Sequence, residues 1–244
     1  MNTYHLVCVE MPSIQYEGQD IGYIVERTRR RTVAIYIDPQ RGVVVRAPKR
    51  ASDREVRGFL LKKAPWILRK LAEVRQRAAE APRHTYLDGD VFLYLGEPLR
   101  LRICSARKNG VDILGQEIIV SLKSGISEDD VPAMLRKWYV ACARELLDER
   151  VAFYSEELGV MPARIAIREQ KKRWGSCSAK GNINLNWKLV MAPPGILDYV
   201  VAHELCHLRY PNHQPEFWGL LANLMPDYAD RRNWLKKNGH KLGL

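Results

Sequence analysis

The chain has 244 residues, 46% of them hydrophobic, and a formal net charge of +11, which suits one large or two small domains with a real core and excludes large-scale disorder. Cys8, Cys104, Cys142, Cys177 and Cys206 are an odd number with no C-x-x-C pair, so neither a disulfide framework nor a four-cysteine zinc ribbon is expected and a reducing compartment fits. The start, Met1-Asn2-Thr3-Tyr4-His5-Leu6-Val7, lacks the basic and apolar regions of a signal peptide, and no run approaches a membrane span, so the expected setting is cytoplasmic with no membrane partner.

Residues 4–47 contain short β-type runs, including 21–25, 32–37 and 43–46, the last two joined by the turn-prone Asp38-Pro39-Gln40-Arg41-Gly42. The alternation Val33-Ala34-Ile35-Tyr36-Ile37 predicts a half-buried antiparallel sheet. Ser52 and Glu55 form a capping-box signature opening a helix with Val56, Phe59 and Leu60 on its apolar side, and Pro65 is expected to start a second helix. Further strands are expected over 91–95, 99–103 and 118–122. The sequence shows no internal repeat.

The second half is expected to begin near Gly125, giving domains 1–125 and 126–244. Ser127 precedes Glu128, Asp129 and Asp130, an N-cap with acidic residues where a helix dipole favours them. Val131, Leu135, Trp138, Cys142, Leu146 and Leu147 continue an apolar stripe in a helix that stops at Gly159. Arg164-Ile165-Ala166-Ile167-Arg168 alternates as a strand. Residues 174–178 and 182–187 read as a hairpin around Ala179-Lys180-Gly181, with Ile183, Leu185 and Trp187 on one face and Asn182, Asn184 and Asn186 on the other. That asparagine face reads either as a solvated surface or as a peptide-orienting one beside a site.

The site itself is suggested by His203-Glu204-Leu205-Cys206-His207, followed by His213. Positions i and i+4 of a helix point the same way, so His203 and His207 can reach one tetrahedral zinc at about 2.0 to 2.1 Å. Glu204 flanks that face, placed to take a proton from a water that the ion acidifies. The helix is expected to end at Tyr210-Pro211-Asn212, and the turn there lets His213 return as third ligand. Leu197, Val201, Leu205 and Leu208 form the opposite, core-facing stripe. A structural zinc is the alternative, with Cys177, Cys206 or Glu216 as fourth ligand. Phe217, Trp218, Leu221 and Leu224 read as the packing stripe of the next helix, and Arg209, Tyr210 and Tyr228 are oxyanion candidates by nearness in sequence alone.

The segments Arg173-Trp174-Gly175-Ser176-Cys177-Ser178, Ile183-Asn184-Leu185-Asn186-Trp187, Leu197-Asp198-Tyr199-Val200-Val201-Ala202-His203-Glu204-Leu205-Cys206-His207-Leu208, Asn212-His213 and Phe217-Trp218 together resemble the YgjP-like metallopeptidases. The resemblance is specific over residues 160–240 and looser before them. It implies a zincin-type hydrolase, distantly related to WLM and SprT-like proteases that act on DNA-linked proteins, with His203, His207 and His213 on zinc and Glu204 as base.

Residues 1–125 hold 22 basic against 14 acidic side chains, and residues 126–244 hold 17 against 14. The excess is N-terminal, in runs such as Arg27-Thr28-Arg29-Arg30-Arg31, Lys49-Arg50 and Lys62-Lys63. Such runs are either a solvated face or a nucleic-acid contact. The sequence therefore predicts an α+β protein: a zincin-like C-terminal metallopeptidase domain preceded by a β-rich N-terminal domain. Its expected partner is a protein or peptide substrate, with nucleic acid at Arg29, Arg30, Arg31 and Lys49 as a further candidate. The rival expectation is a basic nucleic-acid-binding protein with a structural zinc.

Overall fold

A computed structural model describes residues 11–125 and 127–244; Cys8 and the first residues of the 4–47 region lie outside them. Two compact units, 1–80 and 81–244, divide the chain. In the first, strands β1 (Ser13–Tyr16), β2 (Gln19–Thr28), β3 (Ala34–Asp38) and β4 (Gly42–Pro48) form one sheet in the order β1-β2-β4-β3. The period-2 alternation puts Ile14, Ile21, Tyr23, Val43 and Val45 into one core with Val56, Leu60, Ala64 and Ile67 of helix α1 (Asp53–Glu80). The capping box forms: Ser52 N–H donates to Glu55 Oε2 at 2.7 Å and Glu55 N–H to Ser52 Oγ at 3.2 Å. Pro65, expected to begin a new helix, instead sits inside a continuous α1. Its missing N–H leaves the Leu61 carbonyl without its i+4 donor, and Leu61 is exposed.

The second unit opens with β5 (Val91–Tyr94), β6 (Glu97–Ala106), β7 (Gly110–Leu114) and β8 (Glu117–Lys123) in the order β5-β6-β8-β7, followed by helix α2 (Val131–Leu158). This repeats the plan of the first unit. In both, the second and fourth strands pair in parallel, antiparallel strands flank them, and a 28-residue helix follows. Corresponding elements start at 13 and 91, 19 and 97, and 53 and 131. The topology recurs without visible sequence repetition because a pleated sheet requires alternation, not residue identity.

The unit boundary thus lies at Glu80 rather than near residue 125. Phe92, Leu101, Ile118 and Val120 share a core with Leu135 and Tyr139 of α2, and the Tyr139 hydroxyl donates to the Leu93 carbonyl at 2.8 Å. The apolar face of this sheet is covered by α2, so the two cannot be separated. Along α2 the buried line is Val131, Leu135, Tyr139, Ala143, Leu147, Val151, Tyr154 and Leu158. The expected Trp138, Cys142 and Leu146 flank it, half-buried. Gly159, at φ 58°, ends the helix, with Val160 N–H bonded to the Ser155 carbonyl.

A second small sheet follows, in the order β10 (Gly175–Cys177), β11 (Asn182–Asn186), β9 (Arg164–Arg168). β10 and β11 are the expected hairpin, and β10 is an edge strand. Helices α3 (Pro194–Cys206), α4 (Pro215–Leu224) and α5 (Tyr228–Asn238) complete the α+β unit. α3 is buried nearly all round: Leu197, Val201 and Leu205 are joined by Ile196, Tyr199, Val200, Ala202 and Cys206. Among the described residues no helix is long and apolar enough to cross a membrane.

Arg150 of α2 ties α3 in place through two hydrogen bonds to Asp198, 2.6 Å from Nε and 3.0 Å from Nη2. Both side chains are largely shielded from water, so removing one partner strands the other charge. Asp198→Ala is expected to destabilise the fold by about 2 to 4 kcal/mol, and the paired change Arg150→Met with Asp198→Leu to recover most of that loss. Urea unfolding of the wild type and both variants checks it; equal losses in the single and paired variants would exclude a stranded charge as the cause.

Candidate metal centre

His203 lies in the last turn of α3, and His207 is the residue that caps it. The helix ends at Cys206, earlier than expected, because the next turns tighten: Leu208 N–H bonds to Leu205 O and Arg209 N–H to Cys206 O. His207 nevertheless keeps helical dihedrals, so the i, i+4 relation to His203 survives. His213 returns from the following loop, fixed by the Trp218 indole donating to its carbonyl at 3.2 Å and by Trp218 stacked on its ring. One ligating atom from each histidine lies within 4.8 Å of the others. The Nε2 atoms of His203 and His213 are 3.0 Å apart, close to the separation of about 3.3 Å between two ligands of a tetrahedral zinc.

The donor set fits a divalent cation. His207 Nδ1 donates to the Tyr210 carbonyl at 3.0 Å, which leaves its Nε2 lone pair for a metal. Burial, reinforced by His207 and His213, pushes His203 down to about 3, so its ring stays neutral at physiological pH and keeps a lone pair that could bind a metal. His203 Nδ1 meets no acceptor among the described residues. Beneath the three rings lies Phe217, fully buried, with its centroid 4.6 to 4.9 Å from each imidazole.

Glu204 is buried beside this cluster, only 6% exposed. Burial pushes its carboxyl up to about 7, while the Arg173 charge and the Cys177 backbone N–H pull the other way. Gly175 of β10 makes the close approach achievable. A Cβ there would stand 2.6 Å from Glu204 Cγ and Oε1, so any side chain at 175 would displace the carboxylate. Trp174, just before it, packs against Gly239 with equally little room.

A cleft of about 690 Å³ opens onto the cluster, lined by Arg173, β10, the Ser178–Gly181 turn, Glu204, Leu208 and the three histidines. The asparagines of β11 resolve into separate roles. Asn186, 2% exposed, donates to the carbonyls of Gln170 and Arg173 and accepts from Lys188 N–H, clamping the loop that delivers Arg173. Asn184 bonds to Ser176 Oγ across the hairpin. All four bonds are internal to the protein.

Among the described residues the potential metal ligands number three, and none of the candidate fourth ligands joins them. Cys206 is in the core with its thiol pushed up to about 11 by burial. Cys177 lines the cleft, and Glu216 is exposed in the first turn of α4. Of the oxyanion candidates, Arg209 turns away to the Leu158 carbonyl, Tyr210 offers its backbone to His207, and Tyr228 stacks on Trp218. Arg173 and Gly175 are site residues that spacing did not single out, and Phe217 and Trp218, expected only to pack, also lie against the histidines. The basic run of the first unit is partly consumed internally: Arg27 pairs with Asp53, and Arg41 and Arg46 with Glu26. Arg29, Arg30, Arg31 and Lys49 are exposed.

The sequence model of the YgjP-like family, metallopeptidase domain, matches residues 31–238, and the chain belongs to that family; it is a metal-dependent hydrolase. Two solved structures are similar over part of the chain. The metallopeptidase zymogen abylysin of Pyrococcus abyssi is 21% identical with a TM-score of 0.35, covering 40% of this chain and 99% of its own. The metallopeptidase zymogen jannalysin of Methanocaldococcus jannaschii is 22% identical with a TM-score of 0.35, covering 37% and 88%. Comparison with curated proteins gave no match.

Two measurements test this geometry. Gly175→Ala is expected to displace the Glu204 carboxyl and, were that group to take part in hydrolysis, to lower the rate at least about tenfold; unchanged activity would mean that Glu204 does not act from its present position. The second concerns the metal-free protein. A carboxyl raised from 4.5 to about 7 contributes stability fully present below pH 4.5 and lost as pH rises through 7. His203, lowered from 6.5 to about 3, has the opposite sign and loses stability as pH falls below 6.5. Metal-free Glu204→Gln should therefore match the wild type in urea at pH 4 and exceed it by about 3 kcal/mol at pH 8. A difference independent of pH would refute the raised carboxyl.

Proposed function

We propose that this metallopeptidase cleaves peptide bonds in a protein or peptide substrate, with His203, His207 and His213 holding zinc, Glu204 as general base, and a zincin-like arrangement of α3 against the β10 hairpin. The observation that carries the reading is the convergence of three imidazoles and one buried carboxyl group on a single open cleft. Three nitrogen ligands and no fourth protein ligand among the described residues suit zinc with a position open for chemistry. Bound there, zinc supplies Lewis acidity to the scissile carbonyl and to an attacking water.

The protein's own groups then divide the work. Glu204 takes the proton of the water as it adds to the carbonyl carbon and passes that proton to the leaving nitrogen. Its carboxylate is held by the Cys177 N–H and faces Arg173, which favour the ionised form that a base requires. Arg173, lining the cleft, is the cationic group placed to meet negative charge developing on the substrate. The unpaired edge of β10 offers backbone donors and acceptors to an extended peptide, which would add as a strand beside Gly175–Cys177. The four described cysteines are free thiols, which suits the cytoplasmic setting of the proposal.

The purified chain should carry one zinc per molecule by mass spectrometry, and His203→Ala, His207→Ala and His213→Ala should each lower that occupancy. Glu204→Gln should keep the metal and lose about 10² to 10⁴ in rate. Loss of metal in Glu204→Gln would make the glutamate a structural partner, and full activity would refute the mechanism. A closed, four-ligand coordination shell would favour a structural zinc instead.

A further inference from the structure

A second cavity, of about 730 Å³, lies in the same unit and shares no lining residue with the metal cleft. Four of its lining side chains are basic, Arg136, Lys137, Arg168 and Lys188, and one, Glu169, is acidic. Glu169 is already engaged, 2.5 Å from Arg136 and 3.4 Å from Lys188. Lys137 and Arg168 are exposed and form no ion pair with the described residues. Leu244 lines the cavity as well, and among the lining side chains the basic groups outnumber the acidic ones four to one.

Two further features point to an anion. Trp187 lines the cavity, is 2% exposed, and its indole N–H has no acceptor among the described residues. A buried donor without a partner carries a desolvation penalty that an acceptor atom in the cavity would relieve. Pro132 and Ala133, at the start of the 28-residue α2, also line the wall, so the positive end of that helix faces the same space. Asp129 and Asp130 precede the helix but are not part of the lining. The rest of the wall is apolar and partly aromatic. The Tyr86 ring belongs to it, on a backbone held at φ 59° by Asp90, whose carboxylate accepts from the Thr85 and Tyr86 N–H groups.

We infer that this cavity binds a small organic phosphate: a dianionic phosphoryl group met by Lys137, Arg168 and the Trp187 indole N–H, carried on an apolar or aromatic body that rests against Tyr86 and Ile167. A doubly charged head suits two free cations and an unpaired donor better than a neutral ligand does, because charge-assisted bonds are about twice as strong as neutral ones. The apolar wall excludes a bare inorganic ion as the best-fitting occupant. This inference is independent of the peptidase chemistry.

Phenyl phosphate is the probe, with benzoate and benzyl alcohol as the singly charged and neutral comparisons. The chain has six tryptophans, so indole N–H resonances of the full-length, metal-loaded protein resolve the location, with Trp187→Phe assigning one of them. Trp218 reports on the metal ligands. Phenyl phosphate is expected to shift the Trp187 indole saturably, more tightly than benzoate, and benzyl alcohol to leave it unmoved. The double variant Lys137→Gln with Arg168→Gln changes only exposed side chains and is expected to raise the Kd by about tenfold or more. Calorimetric titration supplies the same ranking should Trp187→Phe fail to fold. A shift confined to Trp218 would place the anion at the metal site. That result, equal binding of benzyl alcohol or benzoate, or indifference to the double variant would each overturn the assignment.

Discussion

A carboxylate buried against a glycine backbone is the constraint on which the rest of this centre depends. Burying an ionisable carboxyl is costly unless something at the same place favours its charge. At Glu204 those favourable groups are a backbone N–H from Cys177 and the Arg173 charge, and both come from one segment, the loop and strand 173–177. That segment can come so close only because residue 175 has no Cβ. Asn186 then fixes the loop by bonding two of its carbonyls. The position of the Glu204 carboxyl is consequently decided by a hairpin that contains none of the three clustered histidines.

The histidines follow a different logic. Two of them need only a helical turn, so their relation is local and was legible as soon as His203 and His207 were seen four apart. The third was legible through the turn at Pro211, yet what holds it is tertiary: Trp218 above the His213 ring and Phe217 beneath all three imidazoles. Residues that read as a packing stripe of α4 are therefore also the floor of the centre. Their nearness to His213 was visible in the sequence, but an apolar stripe at helical spacing has the same appearance whether it meets a core or a ligand set. Gly175 and Arg173 belong to the family-like segment 173–178, though nothing in a one-dimensional pattern says that a glycine stands against a carboxylate 29 residues further along the chain.

Elements set by local chemistry came through well: the reciprocal Ser52 and Glu55 bonds, the stop at Gly159, and the hairpin around Gly181. Those set by competition between local and distant terms did not. Pro65 signals a helix start, and it lost to the continuous apolar face of Val56, Leu60, Ala64 and Ile67, whose burial in the first unit outweighs one absent hydrogen bond. The unit boundary was misplaced for a similar reason. Strand signals up to residue 122 and a helix N-cap at Ser127 separate strands from helix along the chain, whereas the apolar face of the β5 to β8 sheet is completed by α2. A four-stranded sheet that buries one face needs its cover in the same unit, and in both halves of this chain the cover is the long helix that comes next.

That recurrence clarifies how the site is supported. In the first unit the helix α1 completes a sheet and the plan ends. In the second, α2 has additional work, because Arg150 on its later turns grips Asp198 at the start of the metal helix. α3 is apolar nearly all round and would slide or rotate readily on hydrophobic packing alone, since that attraction is non-directional. A bidentate charge pair supplies the missing direction. It sets the rotation of α3 five residues before His203, and a rotation of one residue, about 100 degrees, would turn both histidines from the cleft into the core. The order of dependence thus runs from sheet to α2, from α2 through Arg150 to α3, and only then to the imidazoles and the carboxylate that the hairpin receives.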